Sequence, residues 1–229
     1  MFRVKICGIT RPEDALAAAA AGADAIGLNF YSRSTRFVGQ EQARRIAAVV
    51  PAGVVRVGVF VNASAEEIVQ TFVGTPLDLV QLHGDEPPEL VCRLGDRPVV
   101  RVFRVGQGGL AAALEYLDRC HHLGTTPRLV LADAAAGQAY GGTGEVADWS
   151  ALRGYPVADW HPPLILAGGL TPENVADAIR AVRPAGVDTA SGVEASPGVK
   201  DHELIRRFVE AARAALAELG AWRDEASHG

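Results

Sequence analysis

Two glycine-bearing stretches late in the chain have the make-up of an anion cradle. They are Ala167-Gly168-Gly169-Leu170-Thr171 and Thr189-Ala190-Ser191-Gly192-Val193. Glycine lets backbone N–H groups approach an anion closely, and a short helix starting near Ser191 would aim its positive end at the same point. Neither stretch follows a Walker pattern, so the signal favours a phosphate group and not a nucleoside triphosphate. The bland alternative is a pair of tight turns. Cys7 is the second signal, because it ends an apolar run and precedes Gly8. A thiol there can act as base or nucleophile if neighbouring dipoles draw its pKa down toward neutrality; otherwise it is a small buried hydrophobe. Cys92 and Cys120, in helical stretches, are read as buried hydrophobes. Asp133 is the third signal: Leu129-Val130-Leu131-Ala132 runs straight into its carboxylate. Such a group binds something, holds a proton and serves as a general acid, or caps the backbone of Gly141–Gly144. Arg33 and Arg36 share the loop Phe30–Phe37, and either guanidinium can grip a carboxylate with two hydrogen bonds. His83, in Gln81-Leu82-His83-Gly84-Asp85-Glu86, is a substrate contact or a helix cap.

These groups need a scaffold that gathers them. Short β-branched runs alternate with Ala-rich amphipathic stretches along the chain. Strands are expected at Arg3–Cys7, Asp24–Asn29, Val54–Phe60, Leu77–Leu82, Val99–Phe103, Arg128–Asp133, Leu164–Ala167 and Gly186–Thr189. Helices are expected at Pro12–Ala21, Gln40–Val50, after Ser64, and at Glu86–Leu94, Leu110–His121, Trp149–Leu152, Pro172–Val182 and Asp201–Leu219. Thr10 with Glu13, and Ser64 with Glu67, have capping-box spacing, and Thr171 is placed to cap its helix. Eight strand-then-helix units with no second composition regime require parallel strands and crossover helices. The expected fold is therefore a single-domain α/β (β/α)8 TIM barrel over residues 1–219, with 220–229 as a flexible tail. A doubly wound open sheet would need a GxGxxG turn after an early strand, where Cys7-Gly8-Ile9-Thr10 stands instead. Barrel chemistry sits at the C-terminal ends of the strands. That rule gathers Cys7, Asn29, Asn62, Gln81, His83, Arg104, Asp133 and Asp188 at one mouth.

The 229 residues carry 22 Lys+Arg against 27 Asp+Glu, a net charge of −5, which argues against a general nucleic-acid binder. No apolar run approaches the roughly 18 residues of a membrane helix, and the first residues lack a signal-peptide core. Three widely spaced cysteines fit a reducing cytoplasm and offer no disulfide framework. No His/Cys/Asp/Glu cluster has ligand spacing, so no metal is expected.

Several segments together carry a family resemblance. They are Lys5-Ile6-Cys7-Gly8-Ile9-Thr10, Gly58-Val59-Phe60-Val61-Asn62, Val80 through Glu86, Gly141-Gly142-Thr143-Gly144 with Asp148-Trp149, Leu166 through Asn174, Ser191 through Glu194, and Pro197 through Lys200. On these the chain closely resembles the phosphoribosylanthranilate isomerases of tryptophan biosynthesis, from Lys5 to about Ala214. The resemblance implies a cofactor-free (β/α)8 barrel that carries out an Amadori rearrangement of a phosphosugar. It implies Cys7 as general base and Asp133 as general acid, with Arg36 on the anthranilate carboxylate. It implies Asp188 on the sugar hydroxyls, His83 as a further contact, and phosphate at Gly168, Gly169, Ser191 and Gly192. It leaves a monomer or a homodimer open. Three positions depart from the family pattern: Ser34-Thr35 replaces a proline before Arg36, Ala132 replaces a bulkier residue, and Ala147 replaces an aromatic. The competing functions are a histidine-pathway type of phosphosugar isomerase and a non-catalytic phosphate-ligand binder. Retention of Cys7, Asp133 and Arg36 argues against the second. A carbon–carbon bond-forming barrel would need a strand-end lysine, and neither Lys5 nor Lys200 fits that position.

Overall fold

Strand and helix alternate in the computed structural model as the hydrophobic pattern requires. The structure describes residues 1–105, 110–133, 149–152 and 154–226. The elements in order are β1 (Val4–Ile6), α1 (Pro12–Ala20), β2 (Ala25–Asn29), α2 (Gln40–Val49), β3 (Val55–Phe60), α3 (Ala65–Gly74), β4 (Leu79–Leu82) and α4 (Pro88–Arg93). Then come β5 (Val99–Arg104), α5 (Ala111–His122), β6 (Leu129–Asp133), a 3-10 turn at Trp149–Leu152, β7 (Leu164–Ala167), α6 (Val175–Val182) and β8 (Gly186–Thr189). A second 3-10 turn (Ser191–Val193), β9 (Glu194–Ser196), β10 (Val199–Lys200) and α7 (His202–Ala226) complete the described chain.

Strands β1 to β8 form a closed barrel in sequence order, sealed by parallel pairing of β1 with β8 at Val4↔Val187, Lys5↔Asp188 and Ile6↔Thr189. Because strand side chains alternate, each strand supplies two layers. Val4, Ile6, Leu28, Val80, Leu82 and Val130 join the apolar layer under the helices. Phe2, Ala25, Val57, Leu79, Leu131 and Ile165 form a separate cluster filling the lumen. Lys5 and Asp188 share the lumen row and are both buried.

The β7 and β8 limits match the expectation, and Ser64 and Glu67 make the complete capping box. The Thr171 hydroxyl accepts from the Glu173 N–H at 3.2 Å, in the turn that leads into α6, but the expected cap at Thr10 does not form. The residue at the start of α1 is Arg11, without a side-chain cap, because the Thr10 hydroxyl donates to the Gly198 carbonyl at 2.6 Å. The segment after Thr171 makes a turn first, so α6 starts at Val175 and not at Pro172. In that turn the Asn174 side chain accepts from the Thr171 N–H at 2.8 Å and donates to the Gly169 carbonyl at 2.9 Å. Cys120 is buried, but Cys92 faces outward and is exposed. Asp201 caps α7 through the Glu203 and Leu204 N–H groups. That helix continues through 220–226; residues 227–229 lie outside the described residues. The β9–β10 hairpin has no counterpart in the sequence expectation.

Candidate active site

The C-terminal ends of the strands enclose a cavity. Its wall includes Cys7, Gln81, His83, Asp133, Gly168, Gly169, Asp188, Ser191 and Gly192. Of the residues expected at the mouth, Asn29, Asn62 and Arg104 are not on this wall, and Arg36 stands at the rim beside Gly8. The segment Gly141–Gly144 and Asp148 lie outside the described residues.

Cys7 follows β1 and is held by the neighbouring strand, its N–H donating to the Thr189 carbonyl at 2.8 Å. Period two puts it on the same face as Lys5. Both press on Gly27 of β2: a Cβ there would fall 2.6 Å from the Cys7 Sγ and 3.2 Å from the Lys5 Cε. Lys5 is fully buried, and its Nζ donates to the Asp188 Oδ2 at 2.8 Å. Burial opposes the charge on Lys5, but Asp188 and Cys7 outweigh it and raise the pKa. Asp188 is pushed up by burial against the pull of Lys5. Its Oδ1 is buried with no hydrogen-bond partner among the described residues.

The thiol corrects one expectation. Burial pushes the Cys7 pKa up, Asp188 adds to the rise, and Lys5 and Lys200 pull it back down. The strand-end position had suggested a lowered value, but burial cannot be seen in a lone sequence and here it wins.

Across the lumen, Asp133 ends β6, and its Oδ2 lies 3.5 Å from the His83 Nε2. The loop carrying His83 is fixed from behind. Glu86 accepts from the Asn62 N–H at 2.8 Å and from the Gly84 N–H at 2.9 Å. Arg101 of β5, stacked on Tyr116, donates to Glu86 and to the Leu82 and Gly84 carbonyls. Arg101 and Glu86 are both buried, so losing one strands the other's charge. Arg101→Met is expected to cost about 3–5 kcal/mol, read by urea unfolding. A loss below about 1 kcal/mol would mean that the Glu86 backbone contacts hold this loop unaided.

The two glycine loops are built by close approach. Gly168 and Gly169 adopt φ of +92° and +63°, a region that L side chains rarely occupy. The Ser191–Val193 turn lies against Leu170, the next residue: a Cβ on Gly192 would stand 1.9 Å from the Leu170 carbonyl oxygen, which already accepts from the Thr189 hydroxyl at 2.7 Å.

Arg36 folds over Gly8, where a Cβ would meet its Cδ at 2.4 Å. Its Nε and Nη2 donate to the two Glu194 oxygens at 2.7 and 2.8 Å. Lys200 also donates to Glu194, at 2.9 Å. Burial disfavours the Glu194 charge, yet these two cations hold its pKa below the usual range. Arg33 is exposed on the same loop, so of the two candidate arginines only Arg36 lies beside Cys7. The sequence reading missed Lys5, Glu194 and Lys200. The period-two placement of Lys5 under Cys7 was the available signal; the pairing of Glu194 had none.

A family model for N-(5'phosphoribosyl)anthranilate (PRA) isomerase matches residues 4–211. The chain belongs to this family. An N-(5'-phosphoribosyl)anthranilate isomerase of Pseudomonas fluorescens (strain Pf0-1) is 50% identical over 212 residues, covering 92% of this chain and 98% of the relative. One of Acidithiobacillus ferrooxidans is 48% identical over 213 residues, covering 93% and 98%. Among solved structures, the phosphoribosyl anthranilate isomerase of Thermotoga maritima aligns with a TM-score of 0.81 at 43% identity, covering 93% of this chain and all (100%) of its own. Another, in complex with reduced 1-(o-carboxyphenylamino)-1-deoxyribulose 5-phosphate, aligns with a TM-score of 0.76 at 41% identity and the same coverage, 93% and 100%. The chain is thus a PRA-isomerase-family TIM barrel and an isomerase of tryptophan biosynthesis, and the histidine-pathway and binder readings are not favoured.

Proposed function

We propose that this barrel converts N-(5'-phosphoribosyl)anthranilate to 1-(2-carboxyphenylamino)-1-deoxyribulose 5-phosphate by general acid–base catalysis, with Cys7 and Asp133 as the pair. The observation that carries the reading is the placement of these two groups on β1 and β6, on the wall of one cavity shared with the two glycine loops. Phosphate seats on the backbone of Gly168, Gly169, Ser191 and Gly192, where the chain offers N–H groups and no side-chain bulk. Asp188 presents its unpaired Oδ1 to a sugar hydroxyl, and His83 lies beside Asp133 as a further contact. Asp133 gives its proton to the furanose ring oxygen as the C1–O bond breaks, and the anthranilate nitrogen takes up the electron deficit as a Schiff base. The Cys7 thiolate removes the C2 proton. The resulting enolamine becomes the ketone by losing the proton on its C2 oxygen and gaining one at C1. Holding both ends of the substrate spends remote binding energy on alignment of the reacting carbons.

Arg36 is the proposed grip on the anthranilate carboxylate. Arg36→Met is expected to raise KM with a smaller effect on kcat, because the contact is equally present in ground and transition states. An unchanged KM in steady-state assays would move the carboxylate to Arg33. No group of cofactor or metal is part of this reading, and the partner is the small phosphosugar alone. A cytoplasmic monomer or homodimer is proposed; a Thermotoga maritima relative is described as dimeric. Among the described residues no helix is long and apolar enough to cross a membrane.

The test is to generate phosphoribosylanthranilate in situ and follow its fluorescence as protein is added. Decay well above the spontaneous rate is expected. Folded protein with no such decay would overturn the substrate assignment.

A further inference from the structure

Lys5 lies beneath the mouth and is not on the cavity wall, and the reaction described above does not use it. Yet it is a fully buried cation on the same strand face as the base, packed with the Cys7 Sγ around Gly27. An interior ammonium of this kind is costly unless something needs its charge. We propose that Lys5 is a positioning residue for the reaction: its buried ammonium, held by Asp188, stabilises the thiolate of Cys7. The inference rests on Cys7 being the general base.

The charges that face Cys7 set the sign of the effect. From β1 comes Lys5, from β10 Lys200, and from the loop after β2 Arg36, all cationic. From β8 comes Asp188, which opposes the thiolate and itself faces His83 and Asp133 across the cavity. Glu194 absorbs much of Arg36 and Lys200 by pairing with both. Lys5 has one carboxylate partner, and only one oxygen of it. Lys5 is thus the cation with the most direct claim on Cys7. No proton passes through it. The thiolate takes the C2 proton and becomes the thiol, and Lys5 stays an ammonium on both sides of the step. When a sugar hydroxyl donates to the Asp188 Oδ1, the carboxylate charge is shared, and more of the Lys5 field is left for the sulfur. The base is thereby favoured when substrate is bound.

A purely structural ion pair and this electrostatic role make opposite predictions for two single substitutions. Both break the same pair, so a structural role moves both variants in one direction. The proposal moves them apart, because Lys5→Met removes the cation that favours thiolate and Asp188→Asn removes the anion that opposes it. The readout is the rate of Cys7 alkylation by iodoacetamide at pH 8 on the full chain, in a Cys92→Ser background that silences the exposed thiol. Thiolate is the reacting species, so each unit rise in thiol pKa slows the reaction by about tenfold below the pKa. Lys5→Met is expected to slow alkylation about tenfold or more, and Asp188→Asn to speed it several-fold. Changes in the same direction, or within about twofold of the parent for both, overturn the proposal. If Lys5→Met does not fold, the double variant Lys5→Met/Asp188→Asn, which leaves neither partner of the buried pair charged, is compared with Asp188→Asn. Slower Cys7 alkylation in the double variant than in Asp188→Asn supports the proposal, and equal or faster alkylation overturns it. The assay reads the sulfur and not turnover. Full activity in Cys7→Ala would therefore remove Cys7 as base without altering the alkylation result, so the two failures are separable.

Discussion

Cys7→Ala is expected to lower kcat by more than about 10²-fold while the barrel remains folded, the loss that follows from removing the proposed general base. The substitution takes one sulfur from the cavity wall and leaves the Cys7 N–H bonded to Thr189. The barrel therefore keeps its closing contacts, and the defect appears in kcat and not in the unfolding midpoint. Asp133→Asn is its counterpart on β6 and has a loss of similar order, because an amide cannot deliver a proton to the ring oxygen. The two changes are not additive, since either alone stops the same rearrangement. The pH profile of the parent carries a sign as well. Burial holds the Cys7 thiol above its ordinary value, so the thiolate fraction and kcat/KM rise with pH up to the thiol pKa. Near-normal turnover in Cys7→Ala would refute the base assignment outright.

The second large effect is expected from one methyl group. In Gly192→Ala the new carbon stands 1.9 Å from the Leu170 carbonyl oxygen, and this is backbone, which cannot rotate aside. The loop after β8 must then move away from the loop after β7. Those two loops are the walls of the proposed phosphate cradle, so KM is expected to rise about tenfold or more as positioned N–H groups are lost. Overpacking of this kind also costs about 1–3 kcal/mol in stability. Gly39→Ala is the control, because nothing lies within 4 Å of a Cβ there. Inorganic phosphate as a competitive inhibitor reads the cradle directly. An unchanged inhibition constant in Gly192→Ala would place phosphate elsewhere.

The architecture was legible because each strand carries an apolar row on the helix side, and rows repeat along the chain. Strands such as β7 and β8, buried on both faces and bounded by glycine or proline, were placed to the residue. Asp133 and His83 were legible as polar residues directly after such rows. Features that depend on distant partners were not. The Thr10 hydroxyl had a local capping role available, but Gly198 claims it from 188 residues away. Lys5 was judged by residue type and not by its place in the two-residue period, which hid its pairing with Asp188. The sign of the Cys7 shift depends on burial, which only the assembled barrel creates.

The contacts that complete the mouth join opposite ends of the chain: Lys5 to Asp188 across 183 residues, Arg36 to Glu194 across 158, and Thr10 to Gly198 across 188. Loops this long pay their closure entropy before any of these contacts can reward it. A ribosome must therefore release nearly the whole chain before a single turnover is possible. An N-terminal fragment that has already gained its helices and several paired strands has the thiol but neither the carboxylate beneath it nor the second of the two glycine loops. Catalysis thus reports on closure of the β1–β8 seam, and recovery of activity during refolding should trail recovery of helical signal.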